Sequence, residues 1–551
     1  MKDLQIDHLA SRLVGITGFI VSVLLFPGLT TDPVNLPKAV TVCVLAFMGA
    51  SIALIKGDLY KKEFRAPVIL LSFIAIALLV NVFFSPGIQS VRLWGTSGRN
   101  TGALTYLSFV AIAIAASQVR TLKGIERILK YLFAALFIVS LYNLLVITTG
   151  NDPLPWENPD NWPLGTFGNS NFNGAFLGIA FSMLAALFAS RVSHLKSWLV
   201  FIPLFLIGCF QIVKTHALQG LLVLGFGAGV VILVYLHKEV KKIFWLASVL
   251  FVTGGVTSLL GILQVGPLSS ILYKPTVSIR GEYWASGWSI FQSNPILGVG
   301  LDGVGDWYRR GRRDSALTLP GVETVTNSSH NVFLDIAAGG GIVLAVPVFL
   351  LILYVVSTST KKIWVMKNYD PTYTAIYVGF LGYLLQAFVS INQIGVAVWG
   401  FIFLGLLIAM NSRDLSVDFS TKVIKQKTEI PASFILSGFI GGLIGVLIAS
   451  PPFVAATNWK DSLTTGDPNK IVLAIDGFPR DSSRYVSGAQ IFYSNNLPSV
   501  AADMARKAVV FNQDDFNAWK ILYKVPETSV EEKKRAFLNL KRLDPLNPEW
   551  K

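Results

Sequence analysis

An all-α polytopic membrane fold of about thirteen transmembrane helices is the class this sequence predicts. Three observations lead there. The 551-residue chain is 53% hydrophobic and only 14% charged, where soluble domains carry roughly 25% charged residues. Apolar runs of about 20 residues, the length that crosses a bilayer core, recur along most of it. The loops between them alternate between cation-rich and cation-poor. The net charge of +14 would suggest nucleic acid in a soluble protein. Here cations gathered in cytoplasmic loops account for it, and no nucleic-acid partner is expected.

The candidate spans run at 11–29, 38–55, 66–85, 101–118, 130–149, 172–190, 197–213, 217–236, 243–263, 331–357, 373–391, 394–411 and 433–456. The first is long for a signal-peptide core and no small-residue cleavage site follows it, so it reads as a retained helix. Cations collect after alternate spans: Lys56, Lys61, Lys62 and Arg65; Arg120, Lys123, Arg127 and Lys130; Lys238, Lys241 and Lys242; Lys361, Lys362 and Lys367; Arg413, Lys422, Lys425 and Lys427. The intervening loops are cation-poor, and 150–171 has no cation. The positive-inside rule then sets the N-terminus in the cytoplasm and the C-terminal tail outside. Cys43 and Cys209 lie inside apolar segments and form no disulfide or zinc pattern.

This division gives membrane helices over 1–263, an outer loop over 264–330, further membrane helices over 331–456 and an outer tail over 457–551. The tail has small residues at helical spacing (Ala501, Ala502, Ala505, Ala508), then Trp519 and an Asp544-Pro545-Leu546-Asn547-Pro548 close. It reads as a small helical domain like a degenerate tetratricopeptide pair, or as a plain helical cap.

Polar chemistry gathers on the predicted outer side. His330 stands where the long loop re-enters an apolar helix, in Ser328-Ser329-His330-Asn331-Val332-Phe333-Leu334. A titratable side chain at a membrane mouth is a functional candidate, as base or hydrogen-bond donor; the plainer reading is a helix cap. Arg280 lies one turn before Trp284, and Trp284, Trp288 and Phe291 share a helical face, as an interfacial helix would carry them. Asn294-Pro295 ends that helix, Gly298 and Gly300 make a flexible turn, and Arg309 to Arg313 form a basic run suited to anions. Arg99 sits in the glycine-rich turn Gly95 to Gly102. Asn171 lies in the uncharged, amide-rich loop Gly165-Thr166-Phe167-Gly168-Asn169-Ser170-Asn171-Phe172-Asn173-Gly174, suited to hydroxyl-rich ligands or simply a turn. Lys214 and His216 share a short outer turn, while His8, His194 and His237 fall on the cytoplasmic side. There is no P-loop, no His or Cys cluster of metal-ligand type and no outer Asp-x-Asp.

Four of these segments in this order resemble the O-antigen ligase and polymerase family: the Gly95–Gly102 turn, the Gly165–Asn171 turn, Arg280 and Trp284 followed by Asn294-Pro295-Ile296-Leu297-Gly298-Val299-Gly300, and Ser329-His330-Asn331 with Leu334. The likeness covers roughly 95–345; the earlier spans and the tail share general architecture alone. It implies a C-type membrane glycosyltransferase, metal-independent and without cofactor, at the outer face of the bacterial cytoplasmic membrane. The implied donor is a glycan on undecaprenyl diphosphate. The acceptor is a glycan, lipid or protein hydroxyl, so ligase, polymerase and protein O-oligosaccharyltransferase are all open. In one respect the sequence departs from the family. Many members carry Ser-Arg at the outer end of the eighth span, where this chain reads Lys214-Thr215-His216-Ala217. Lys214 or His216 then replaces that arginine, or the acceptor class differs.

Chemically, Arg280 and Arg99 are the expected diphosphate ligands, since guanidinium forks match phosphate oxygens. His330 is the expected general base or positioning group, Asn331 fixes its ring or holds a sugar, and Trp284 aligns the lipid-linked donor. A lipid or solute transporter is the rival class; it predicts helix breaks near the midplane and paired internal repeats. A scaffold presenting the tail is the third.

Overall fold

The computed structural model describes residues 2–56, 58–156, 158, 161–191, 194–412 and 431–550. Among these there is helix and turn but no strand. In chain order the helices are α1 (Lys2–Val23), α2 (Asn35–Lys56), α3 (Arg65–Phe84), α4 (Gln89–Trp94), α5 (Ala103–Ser117), α6 (Leu122–Thr149), α7 (Ser170–Ala189), α8 (Leu195–Lys214), α9 (Leu218–Glu239), α10 (Lys241–Ile262), α11 (Ser269–Leu272), α12 (Pro275–Ser293), α13 (Val304–Gly311), α14 (Val332–Val365), α15 (Pro371–Val389), α16 (Ile394–Asn411), α17 (Ala432–Thr465), α18 (Pro468–Ile475), α19 (Ser482–Ser494), α20 (Pro498–Phe511), α21 (Phe516–Lys524) and α22 (Val530–Leu543).

Each expected span falls on a helix, and eleven helices are long and apolar enough to cross a membrane. The chain is therefore a multi-pass membrane protein. Two expected spans lie outside that set. α1 carries Asp7 and Arg12 in its first half, and α5 has 15 residues. At 1.5 Å per residue α5 is about 22 Å long, short of a hydrocarbon core of about 30 Å; it is buried against α2, α3 and α16 instead of facing lipid. α16 is buried almost all round at the centre of the bundle, while α10 is exposed along its length. Several helices start on a side-chain cap that satisfies first-turn N–H groups: Thr121 for α6, Asn169 for α7, Asn331 for α14, Asp370 for α15 and Gln393 for α16.

The two loop classes assemble at opposite ends. At one end Asp7 accepts from the Thr121 hydroxyl (2.6 Å), Arg127 donates to Ser11 (2.5 Å), and Lys238 donates to the Met366 carbonyl (2.6 Å). At the other end the cation-poor loops meet: Asn35 donates to the Gly98 carbonyl (2.7 Å), and Lys38 bridges the carbonyls of Thr166 (2.6 Å) and Ser22 (3.2 Å). Arg413, Lys422, Lys425 and Lys427 lie outside the described residues.

α14 is broken at Gly341 (φ 61°, ψ −168°), nine residues into the helix, or about 14 Å from its start. The Asn294–Leu301 segment fills the gap with backbone. Val299 and Gly300 N–H donate to the carbonyls of Ala338 and Gly339 (both 2.9 Å), and Ile342 N–H donates to the Pro295 carbonyl (2.8 Å). Asn81 of α3 completes the joint, donating to the Gly339 carbonyl (2.8 Å) and accepting from Leu301 N–H (3.1 Å). Irregular backbone at this depth must be satisfied inside protein, and here it is. Gly298 and Gly300 are thus fixed in a joint, where a flexible turn was expected. The transporter reading anticipated a helix break, but this one is closed by the chain itself.

α17 continues through Pro451 and Pro452 to Thr465, so the expected tail boundary at 457 falls inside one helix. Helices α18–α22 follow, α19 packing on α20 and α21 on α22 around Trp519 and Tyr485.

Candidate functional site

The segment before α14 holds His330 in a left-handed backbone conformation (φ 54°). Its N–H donates to the Ser328 hydroxyl (3.0 Å), and Ser328 in turn donates to Asp335 (2.5 Å). Asp335 also accepts from Ser329 N–H (2.7 Å). The cap of α14 is Asn331, whose side-chain oxygen accepts from Phe333 N–H (3.0 Å) and Leu334 N–H (3.2 Å). Capping is therefore the work of Asn331, and the half-buried His330 ring is left to stack on Tyr283 of α12 (centroids 5.2 Å apart, 25° between planes). Burial first, then the charges of Arg280 and Arg99, push this imidazole down to about 4. It is a neutral base at pH 7.

α12 lies close against this segment because Gly287 faces Ser329, where any side chain would collide. From α12 come Arg280, Tyr283 and Trp284. Arg280 is half-buried with no carboxylate partner among the described residues, and burial holds its pKa below the ordinary value. The Trp284 ring packs edge-on to Phe388 (5.4 Å), and its buried Nε1 has no hydrogen-bond partner among the described residues. Trp288 is exposed beside Phe291 (5.3 Å), as an interfacial residue would be. Beneath His330 an apolar cleft runs between α3, α5, α14, α15 and α16, lined by Tyr106, Val332, Phe333, Ile336 and Tyr383 among others.

Arg99 has a different environment from Arg280. It is buried and paired with Asp302 (3.5 Å) and Asp335 (3.9 Å), and it donates to the Asn327 carbonyl. Asp302 also accepts from Thr96 N–H (3.1 Å), Thr101 N–H (3.0 Å) and the Thr101 hydroxyl (2.7 Å), closing the Gly95–Gly102 turn. Two carboxylates neutralise the cation expected to meet diphosphate, and Arg99 instead ties that turn to the His330 segment. Asp302 and Asp335 escaped sequence reasoning because no local pattern joins them to Arg99, 203 and 236 positions away across a bundle. Asp335, in the first turn after an Asn cap, was the single available hint.

The remaining expected residues lie elsewhere on the same end. Lys214 and His216 are exposed; His216 (φ 54°) stacks on Trp162 (4.9 Å), and Lys214 stands over Phe210. Asn171 is half-buried, its N–H donating to the Asn169 cap (2.8 Å). Below them Asn173 of the amide-rich loop and Asn143 of α6 exchange hydrogen bonds (2.9 and 3.2 Å), and of this buried pair the sequence offered only Asn173. Three of the four arginines in the basic run are already paired: Arg309 (2.8 Å) and Arg312 (2.6 Å) hold Asp544 of the tail, and Arg310 meets Asp514 (3.2 Å). These three arginines dock the tail, where anion binding was expected.

A multi-pass helical protein that brings together, at one end, a half-buried base and an arginine with no carboxylate partner among the described residues is the class the geometry defines. Residues 203–349, from within α8 into α14, match the family model described as O-antigen ligase. That stretch includes Arg280, Asp302, His330 and Asp335; Arg99 and the tail lie outside it. No curated protein matches the chain. The family match and the membrane helices support a membrane glycan-processing enzyme. Among the described residues no group of three or more His, Cys, Asp or Glu is placed to hold a metal.

Proposed function

We propose that this protein transfers a glycan from an undecaprenyl diphosphate carrier to an acceptor hydroxyl at the outer face of the cytoplasmic membrane, without metal, through thirteen crossings that include α1 and α5. The reading rests above all on the pairing of Arg280, a cation with no carboxylate partner among the described residues, with His330, a neutral imidazole one helix away. The acceptor oxygen attacks the anomeric carbon, and the bond from that carbon to the diphosphate oxygen breaks. The acceptor proton passes to the His330 imidazole, and undecaprenyl diphosphate departs with its new negative charge against Arg280. Fixed charge placed where a leaving group gains electrons is worth about 3–4 kcal/mol, or about 100- to 1000-fold in rate. Trp284 Nε1 is an unused donor for the donor lipid's head, and the apolar cleft under His330 suits an isoprenoid chain. Arg99, neutralised and buried, acts here as a positioning residue for the His330 segment. Asn331, occupied as a cap, orients α14. Asn171, Lys214 and His216 lie on the face that a glycan acceptor or donor would approach. The tail, read as tetratricopeptide-like, sits on the same side.

Purified protein in lipid nanodiscs, given lipid-linked oligosaccharide and acceptor in excess EDTA, tests the reading. Wild type should turn over, and His330→Ala should lose about 100-fold or more while still binding donor. Full activity in a folded His330→Ala protein, or a requirement for magnesium, would defeat it.

A further inference from the structure

A second concave site lies on the same end of the molecule, on the far side of the Gly95–Gly102 turn from His330. It is a groove of about 220 Å³ between that turn, α4, the start of α2, the outer end of α17 and the first turn of α19. Ser97, Thr96 and Ser90 line one wall, and Arg480, Asp481 and Ser483 the other. Trp94 and Trp459 add aromatic surface.

One lining residue marks the groove as a built site. Asn100 is 5% exposed, sits in a left-handed conformation (φ 54°), and its side-chain oxygen has no hydrogen-bond partner among the described residues. A buried amide acceptor left open is destabilising unless something satisfies it. The charge on the walls is close to balanced. Arg484 turns to the carbonyls of Ala474 (3.0 Å), Gly477 (2.8 Å) and Pro479, which leaves Arg480 and Asp481 as one charge of each sign. A phosphate would find no excess of cations here, and an acyl chain would meet hydroxyls. A sugar chain meets both needs: its hydroxyls donate to amide and hydroxyl oxygens, and its C–H faces pack on tryptophan.

We infer that this groove binds a neutral oligosaccharide segment, held between the tail and the Gly95–Gly102 turn. The position gives it a place in transfer. Asn100 follows Arg99, whose guanidinium reaches Asp335 and the Asn327 carbonyl beside His330. A glycan seated in the groove lies one backbone turn from the reacting segment, so the site would hold sugars remote from the transferred bond. The choice of ligand rests on the glycan-transfer reading; the groove itself does not.

Saturation-transfer NMR on the full-length protein in nanodiscs, with malto-, cello- and chito-oligosaccharides of three to six sugars as probes, tests the site without requiring turnover. At least one probe should bind wild type. Ser97→Trp and Ser483→Trp fill the groove from opposite walls and should weaken that binding by about 10-fold. Asn100→Gly, which keeps the left-handed backbone, should weaken it too, and Asp503→Trp on the outer tail surface should not. No probe bound by wild type, or binding unaltered in both groove-filling variants, overturns the site. In the transfer assay the same two variants should raise the KM of the substrate that carries the glycan, acceptor or donor, and this tells the two sources apart. Binding that survives while His330→Ala transfers normally would sink the transfer reading and leave the groove standing.

Discussion

At position 330 two readings of one histidine competed, and the helix cap itself falls to its neighbour. Asn331 takes the first-turn N–H groups of α14, so the imidazole is left with a stacking partner and a neighbouring guanidinium. A base lowered to about 4 is fully unprotonated at neutral pH. Transfer that depends on it should hold steady as pH falls to about 5 and fail as pH drops through the folded value. The same shift has a stability consequence of definite sign. The unfolded chain protonates this histidine near 6.5 and the folded one near 4, so unfolding is favoured progressively as pH falls across that window. Pre-steady-state transfer rates from pH 4 to 8 check the first point, and an acid limb at 6.5 would show that another group titrates. Arg280→Lys is the companion test. It keeps charge but loses the fork, and its transfer rate should fall about 100-fold. Wild-type rates would make Arg280 a mere anchor of α12.

Helix α14 shows what an element can require of a distant loop. Its break exposes carbonyls at Ala338 and Gly339 and N–H groups at Ile342 and Val343, and the Asn294–Leu301 backbone meets them one for one. This joint fixes the loop that precedes His330 to the helix that follows it. Gly341 is essential in a literal sense: at φ 61° a side chain is strained, and a Cβ there would overlap the Ile296 carbonyl. Gly341→Ala should destabilise by about 1–3 kcal/mol from backbone strain alone, with more from the clash. Asn81→Leu, with the same branching and number of side-chain heavy atoms, removes the amide that joins α3 to the break and should cost about as much, since it leaves the Leu301 N–H without its partner (3.1 Å). Thermal unfolding in nanodiscs reads both. An unchanged midpoint for either would mean that the joint relaxes without them.

For the whole molecule the central feature is the clasp between the 264–330 loop and the tail. Arg309 and Arg312 enclose Asp544 with little or no exposure on any of the three side chains, and Arg309 also lies over the Phe516 ring (4.1 Å). Removing one partner from a buried ion group strands the others and costs about 3–5 kcal/mol. Asp544→Ala should therefore free the tail, seen as new protease cleavage after α17 with the membrane helices intact. A tail that stays protected would mean that Asn512 to Asp306 (3.0 Å) and Lys520 to Glu323 (3.1 Å) hold it unaided. Sidedness has its own measurement at this scale. In a background without Cys43 and Cys209, cysteines at the exposed positions Thr318 and Asp503 should react with an impermeant maleimide on intact cells, and one at Lys241 should not. Labelling of Asp503→Cys only after permeabilisation would turn the tail inward.

Hydropathy and loop charge are properties of short stretches, and they made the helical membrane class and the order of the spans legible in the sequence alone. The same holds for the turn at Gly95–Gly102 and the Ser-His-Asn segment, whose small and polar residues stand out against apolar surroundings. What the sequence could not decide is which charges meet. Arg99 and Arg280 look alike as letters, yet one is held by Asp302 and Asp335 while the other is left without a carboxylate among the described residues. Arg309 and Arg312 read as an open basic run and are closed by a carboxylate more than 230 residues away. Gly298 and Gly300 read as slack and form a joint, because their partners lie on the far side of a helix break. The physical reason is the same in each case. An ion pair or a backbone bond needs both members within about 3–4 Å, and separation along the chain says nothing of that distance until the helices have packed.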